Sequence, residues 1–284
     1  MKWIQQLLGV IINSTAPLAP KWNGHLAFRI FCTVPPQKPI NPRIEEFYSA
    51  LKSETISLGK HEVMLHSMGQ GPTKLLFLHG WMGNAYHWRK YTDALDPSQY
   101  TVYLLEAPGH GQAGGKHLNL ELYRLGVEQA LARIGPVELL IGHSLGSLTA
   151  AYTFLKEPAL PVNRFVITGA PEGIGSIIAY FQEQLKLSPL AVNNLKAKIE
   201  QLLLVPIDQL NLPHFFAQVD RPTLIVHEET DLVTPIGPIR AGLPDNDYLA
   251  VHFTQGDDHR LLAETTVATV LQFINQNTHV YQTF

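Results

Sequence analysis

The 284-residue chain has a single cysteine, Cys32. A lone thiol can close no intramolecular disulfide and supports no thiolate metal centre, and it fits a reducing compartment; within residues 28–33 it reads as one more small apolar side chain. Charge is scarce as well. Only 16% of residues are charged and the formal net charge is −3 with histidine neutral. With no basic surplus to meet a phosphate backbone, nucleic acid is not an expected partner. No apolar run is long enough to span a bilayer. The chain also lacks charged tails, low-complexity segments and internal repeats. What it has is 45% hydrophobic residues, enough for a sizeable core. That excludes a disordered or fibrous chain and fits one large α/β domain with an insertion.

Near the N-terminus Trp3, Ile4, Leu7, Leu8, Ile11 and Ile12 recur at helical spacing behind Lys2. Gln5 and Gln6 cut the apolar run to 7–12, shorter than the core of a secretory signal, so a cytoplasmic protein is expected over a secreted or peripheral one. The segment reads as a short amphipathic helix docked on the protein, with contact to a membrane surface as the lesser alternative. Pro17, Pro20, Pro35, Pro36, Pro39 and Pro42 break any long helix, which makes 1–45 an N-terminal extension with short helices.

From Thr55 a rhythm begins. Residues 54–58 and 63–67 read as a hairpin around Gly59-Lys60. The runs at 74–78 (KLLFL), 101–105 (TVYLL), 137–141 (VELLI) and 164–168 (RFVIT) read as buried parallel strands alternating with helices at 85–95, 118–134 and 144–155. The alternation then stops. Residues 172–219 hold two helical stretches, 176–186 and 191–204, and no strand. It resumes with 223–226 (TLIV), a helix near Pro238, a strand at 248–253 and a last helix at 261–275. The reading is a doubly wound core, 46–171 and 220–284, carrying a helical cap at 172–219. Gly173, Gly175 and Pro213 near the ends of the cap are candidate hinges.

One motif carries chemistry: Gly142-His143-Ser144-Leu145-Gly146, between a buried strand and a helix. A strand turning sharply into a helix strains its apex residue and needs glycines two before and two after. The turn lifts the serine Oγ above the carboxyl edge of the sheet. A serine hydroxyl needs a base. His259, in the loop after the last strand, lies at that same edge; His110 is the competitor, without an acid in suitable chain order. Asp231, in ETDLVTP after TLIV, is the expected orienting carboxylate, with Glu228, Glu229, Asp257 and Asp258 as rivals. Two backbone N–H groups would hold an oxyanion, those of Leu145 and of Trp81 in His79-Gly80-Trp81-Met82-Gly83. His143 points away from the serine and is counted, with His79 and Gly80, among the residues around the substrate. The histidines show no metal-ligand spacing and no cofactor is implied.

These pieces, HGWMG, EAPGHG, GHSLG, ETDLVTP and GDDH, fall in the order nucleophile, acid, histidine. Over roughly residues 55–275 the chain resembles the α/β-hydrolase superfamily. More narrowly, the segment 24–35 and the short cap resemble a group of serine-nucleophile, bacterial single-domain, esterase-like hydrolases. The resemblance implies a mostly parallel twisted sheet flanked by helices with a short helical cap. A serine in the elbow sets the chain apart from dehalogenases and epoxide hydrolases, which place an aspartate there. Glu106 stands where the superfamily usually has aspartate, Ala113 where serine is frequent, and Glu228 where glycine is frequent. Glu106 and Glu228 are expected at the rim of the site.

The expected function is hydrolysis of a carboxylic ester or thioester of a small apolar acyl substrate through an acyl-enzyme. Acyl transfer on the same triad, or non-catalytic ligand binding on this fold, are the alternatives. The cap residues Phe181, Leu185 and Phe216 are expected to line the acyl pocket. The sequence leaves the oligomeric state open.

Overall fold

The computed structural model describes residues 2–37 and 41–276; Pro39, read above as a helix breaker, lies outside them. The chain opens with three helices, α1 (Lys2–Thr15), α2 (Pro20–Phe31) and α3 (Pro42–Ser49). The hairpin β1 (Lys52–Leu58) and β2 (His61–Gly69) leads into β3 (Thr73–Leu78), a 3-10 turn at Ala85–Trp88 with the one-turn α4 (Arg89–Thr92), and β4 (Tyr100–Glu106). Then come α5 (Leu120–Ile134), β5 (Val137–His143), α6 (Leu145–Lys156) and β6 (Val162–Thr168). The insertion carries α7 (Ile174–Leu185), α8 (Pro189–Leu203), a short 3-10 turn and α9 (Leu212–Gln218). The core closes with β7 (Thr223–Glu228), α10 (Ile236–Ala241), β8 (Leu249–Thr254) and α11 (Glu264–Asn275).

The eight strands form one sheet in the order β1-β2-β4-β3-β5-β6-β7-β8. β1 and β2, and β2 and β4, pair antiparallel; all other neighbours are parallel. A parallel strand covered on both faces is apolar throughout, yet its side chains still alternate. In β3, Leu76 and Leu78 enter the core under α5 and α6, while Leu75 and Phe77 enter the core under α11. In β5, Leu140 takes the first side and Leu139 and Ile141 the second. Arg164 in β6 is buried because it caps a helix: its guanidinium donates to the carbonyls of Phe273, Ile274 and Gln276 at the end of α11 and pairs with Glu138.

Chain order reverses about β3, since β4 lies to one side of it and β5 to the other. Loops leaving β3 and β5 therefore diverge and open a crevice at the carboxyl edge, where ligands of open α/β sheets bind. Register brings the later loops to the same edge: Leu78 pairs with Gly142, His143 with Thr168, Thr168 with Val226 and Glu228 with Thr254.

Residues 1–45 and 172–219 do not stand apart as separate units. α2 packs along α8, and α1 touches α7, α8 and α2. Asn13 accepts the N–H of Ser188 and donates to the carbonyl of Lys186, while Asn194 donates to Ala16 O and to Asn23 Oδ1. The insertion has a narrow neck: Ile174 N–H donates to Leu210 O, and Leu212 N–H to Glu172 O. Any movement of α7 and α8 would carry α1 and α2 with it. α3 belongs to the core, where Tyr48 bonds to Glu106.

The helices absent from the sequence reading share one cause. α3 and α9 each start at an asparagine whose side chain accepts a first-turn N–H, with proline directly inside: Asn41-Pro42, and Asn211 ahead of Pro213. α2 and α8 also carry proline in the first turn. Proline stops a helix from within but fits its first turn, where its missing N–H has no partner to lose. The single helix expected at 85–95 is instead a 3-10 turn and a one-turn helix, because Asn84 caps Tyr86 N–H and the Ala85 N–H is taken by Glu106.

Candidate active site

β5 ends in the turn that presents Ser144. Its φ of 52° and ψ of −116° are a strained setting for a residue with a side chain. The flanking glycines are there for space: a Cβ on Gly142 would stand 2.5 Å from Ser147 N, and one on Gly146 2.2 Å from Leu78 O. The Ser144 N–H is tied to Thr168 O at 2.9 Å, which anchors the turn to β6.

Three of the expected residues meet in one line. Ser144 Oγ lies 3.2 Å from His259 Nε2, and His259 Nδ1 lies 2.7 Å from Asp231 Oδ2. Asp231 can only accept, so Nδ1 carries the proton and Nε2 is left to accept from the serine hydroxyl. Asp231 is buried, which by itself disfavours its charge. Hydrogen bonds from His259, from the N–H of Thr234 and from the Thr234 hydroxyl outweigh that and hold the carboxyl well below the usual range. The N–H of Val233 adds a further donor. His227, buried behind, donates to Thr234 O at 2.7 Å.

The rival carboxylates are committed elsewhere. Glu229 pairs with Arg240 and Asp258 with Arg260. Asp257 accepts from Ala263 N–H and the Thr266 hydroxyl at the start of α11. Glu228, expected at the rim, is buried and works as a bracket. It accepts from the N–H and hydroxyl of Thr230 on the acid loop, and from Gly256 N–H, Asp257 N–H and the Thr254 hydroxyl on the histidine loop. Burial opposes its ionisation, and these donors overrule it, bringing the carboxyl down to about 2. Glu106 is likewise buried, not at the rim. It binds Tyr48, His66, and the N–H groups of Ala85 and Gln112.

The other expected site residues divide into two groups. Gly80 sits directly against the serine: a Cβ there would lie 2.9 Å from Ser144 Cβ. Trp81 and Met82 are the central residues of a turn closed by Gly83 N–H to Gly80 O, with Met82 at φ 59°. The Trp81 N–H stands outside that turn's own hydrogen bond. Leu145 opens α6, so its N–H has no partner within the helix. The histidines around them are buried and bonded within the protein. His79 is buried, donating from Nδ1 to Gly80 O and accepting the Ala107 N–H at Nε2, which locks two strand-end loops together. His143, also buried, donates from Nε2 to the carbonyl of His259 at 2.8 Å. Its ring lies between those of His87 at 4.3 Å and His259 at 5.0 Å, tilted to both. His110, the competing base, bonds Pro108 O and packs on His79 and Trp81. Among the described residues no group of histidines and carboxylates is arranged to hold a metal.

The cap residues expected in the acyl pocket are not brought to the serine. Phe216 is fully enclosed beside Phe215 and presents no surface to a substrate. Leu185 is buried where Gly9 of α1 presses on its backbone. Phe181 meets Phe31 of α2 edge-on at 5.2 Å. Of the three, Phe181 joins the insertion to the N-terminal helices by its side chain. The apolar groups exposed along the catalytic edge are instead Trp81, Met82, Leu232 and Val233.

Sequence reasoning missed Thr234, His227 and the bracketing role of Glu228. For Thr234 a local signal existed: an aspartate whose carboxylate takes the N–H groups two and three residues on is a standard turn-former, and threonine falls at the third place. The Glu228 signal is long-range and no pattern in the sequence carries it.

The buried imidazoles set an acid limit. Burial, with neighbouring histidines adding to it, brings both His79 and His143 down to about 4. The unfolded chain would protonate them near 6.5, so it binds more protons than the native state between those values and stability falls as pH falls through that window. The loss is expected to reach several kcal/mol by about pH 4. Urea unfolding at pH 7, 6 and 5 should show midpoints that decline continuously; a midpoint constant from pH 7 to 5 would contradict neutral buried imidazoles.

A protein of Edwardsiella ictaluri described as a pimeloyl-[acyl-carrier protein] methyl ester esterase is 32% identical over 132 residues, 43% of this chain and 49% of that protein. The match thus spans about half the length of the curated relatives. An esterase from Exiguobacterium antarcticum superposes with a TM-score of 0.60 at 14% identity, covering 79% of this chain and all of its own. A bromoperoxidase from Bacillus anthracis does so with 0.58 at 16%, covering 80% and all of its own. These two show a shared fold. The model of the alpha/beta hydrolase family matches residues 75–273, from β3 into α11 and across every loop that meets at Ser144, and the chain belongs to that family.

Proposed function

We propose that the protein is a serine hydrolase that cleaves a carboxylic ester or thioester with an apolar acyl group through an acyl-enzyme. The observation that carries this is the hydrogen-bonded line from Ser144 through His259 to Asp231. Ser144 Oγ attacks the carbonyl carbon while His259 Nε2 takes its proton. Asp231 holds the tautomer and balances the imidazolium. The N–H groups of Trp81 and Leu145 receive the oxyanion. The imidazolium then gives its proton to the leaving alcohol or thiol, and water, activated by His259, releases the acid. The esterase relatives support the reaction class. Trp81, Met82 and Val233, exposed along the edge, supply apolar contact for the acyl group in place of the cap phenylalanines.

The test is pre-steady-state hydrolysis of p-nitrophenyl esters of graded chain length, with a fluorophosphonate probe in parallel. The expected result is a burst approaching one p-nitrophenol per chain and a single label on Ser144. Turnover without a burst, together with a label elsewhere, would overturn the acyl-enzyme at Ser144.

A further inference from the structure

The N-terminal helix is buried on the wrong side for an ordinary surface helix. Its inner face is held by close approach, with a Cβ on Gly9 pointing at Leu185 O, and by Ile12 in the core. The opposite face is apolar and open to solvent: Trp3 is 67% exposed, Leu7 52% and Val10 60%, with Ile4 and Ile11 beside them. Leu18, in the turn to α2, is more exposed still. α2 packs by Gly24 against Asn194 O of α8 and turns Lys21, Trp22 and Arg29 outward. α1 and α2 touch each other and both rest on the α7–α8 pair, so the open apolar face of α1 has as its neighbour a helix that exposes Lys21 and Arg29. Isolated exposed apolar residues are common, but a continuous stripe of this size marks a contact surface.

Charge says what the contact is. Residues 1–44 contain Lys2, Lys21, Arg29, Lys38 and Arg43 and no aspartate or glutamate, while all 24 acidic residues lie in the remainder. In a chain of net charge −3, the helices that carry the apolar stripe hold basic side chains, Lys21 and Arg29 exposed among them, and no acidic one. A second copy of the chain would bring like charge to like charge. α1 has 14 residues, about 21 Å of helix against a hydrocarbon layer of about 30 Å, and no helix among the described residues is long and apolar enough to cross a membrane. A helix of that length with Trp3 near its start, beside a second helix that turns Lys21, Trp22 and Arg29 outward, suits the plane of the headgroups.

We propose that α1 and the outward face of α2 form a docking surface for an anionic lipid bilayer, with the α1 stripe inserted at the acyl boundary and Lys21 and Arg29 against the headgroups. Each basic side chain near such a surface strengthens partition by roughly fivefold. Nothing in this surface touches the triad, so it stands or falls apart from the proposed chemistry.

The test is co-sedimentation of the full chain with vesicles of phosphatidylcholine containing 30% phosphatidylglycerol, and with pure phosphatidylcholine. Three proteins are compared: wild type, Leu7→Glu/Val10→Glu, and Lys21→Glu/Arg29→Glu. The replaced residues are solvent-exposed, so unfolding midpoints and p-nitrophenyl acetate turnover should match wild type. Expected are binding to the anionic vesicles, a blue shift of tryptophan emission on binding, and a loss of at least about tenfold in partition for each variant. Wild type that fails to sediment with the anionic vesicles, or variants that bind as well as wild type, would overturn the proposal. So would a dimer in sedimentation velocity that both wild type and the charge-reversal variant form and Leu7→Glu/Val10→Glu abolishes, with no vesicle binding; the occupant would then be a second copy.

Discussion

Ser144→Ala is expected to lower kcat on a p-nitrophenyl ester by about five to six powers of ten, and His259→Ala by a comparable factor. The two act as one device. Without the hydroxyl there is no acyl-enzyme to form, and without Nε2, 3.2 Å away, the hydroxyl keeps its proton. The double variant should therefore be scarcely worse than either single one, leaving the residual rate that oxyanion donors and substrate binding supply alone. Folding should survive in Ser144→Ala, because alanine relieves none of the turn's φ requirement but fits the space between Gly142 and Gly146. Steady-state rates on the three variants, with unfolding midpoints as controls, make the measurement. Costs that multiply in the double variant would mean that serine and histidine serve separate steps. A serine variant with rates within tenfold of wild type would move the nucleophile elsewhere.

How far the sequence carried this reading depends on the range of the interaction. The central strands β3, β5, β6 and β7 are legible because burial on both faces makes each a short apolar run, whereas the exposed edge hairpin β1–β2 is legible from its turn at Gly59-Lys60. The elbow was legible because it is local: strand, glycine, serine, glycine and helix lie within a few residues. His259 and Asp231 could be placed because loops after parallel strands share one edge. What failed was of two kinds. Pro42 reads as a breaker and Pro213 as a hinge where each falls in the first turn of a helix, so α3 and α9 are not expected. Roles that depend on what a side chain touches at long range could not be assigned. Phe181 is matched to a pocket by composition, yet its ring partner is Phe31, more than a hundred residues away. Glu228 and Glu106 depart from the superfamily's usual residues and are expected at the rim on that ground alone. Each is instead buried and satisfied by four or five donors from separate loops, the condition under which a carboxylate tolerates burial.

Asp231→Asn should leave the fold nearly intact and cut kcat by about four powers of ten. The surrounding donors dictate why. Asp231 Oδ1 accepts the N–H groups of Val233 and Thr234 at 2.7 and 3.0 Å. An asparagine at this place must turn its carbonyl oxygen to those two N–H groups, since the reverse would set donor against donor. Its NH2 then occupies the position of Oδ2, 2.7 Å from His259 Nδ1. A donor there forces Nδ1 to accept, so the ring carries its proton on Nε2 and meets the serine hydroxyl with a hydrogen it cannot use. Glu228→Gln provides the contrast. Both of its oxygens receive donors, Oε1 from Thr230 and Gly256 and Oε2 from Thr254 and Asp257. Either orientation of the amide therefore puts an NH2 against at least one N–H, with a cost of about 1–3 kcal/mol or more for each donor left unpaired in a buried place. Here stability should fall first, with turnover following as the acid and histidine loops loosen. Thermal midpoints and kcat for the two variants separate the cases: Asp231→Asn is expected to lose rate without losing stability, and Glu228→Gln to lose stability out of proportion to rate. If Asp231→Asn keeps turnover within tenfold of wild type, the tautomer of His259 is fixed by something other than Asp231. The Thr234 hydroxyl, 3.2 Å from Nδ1, would then be the group to replace next.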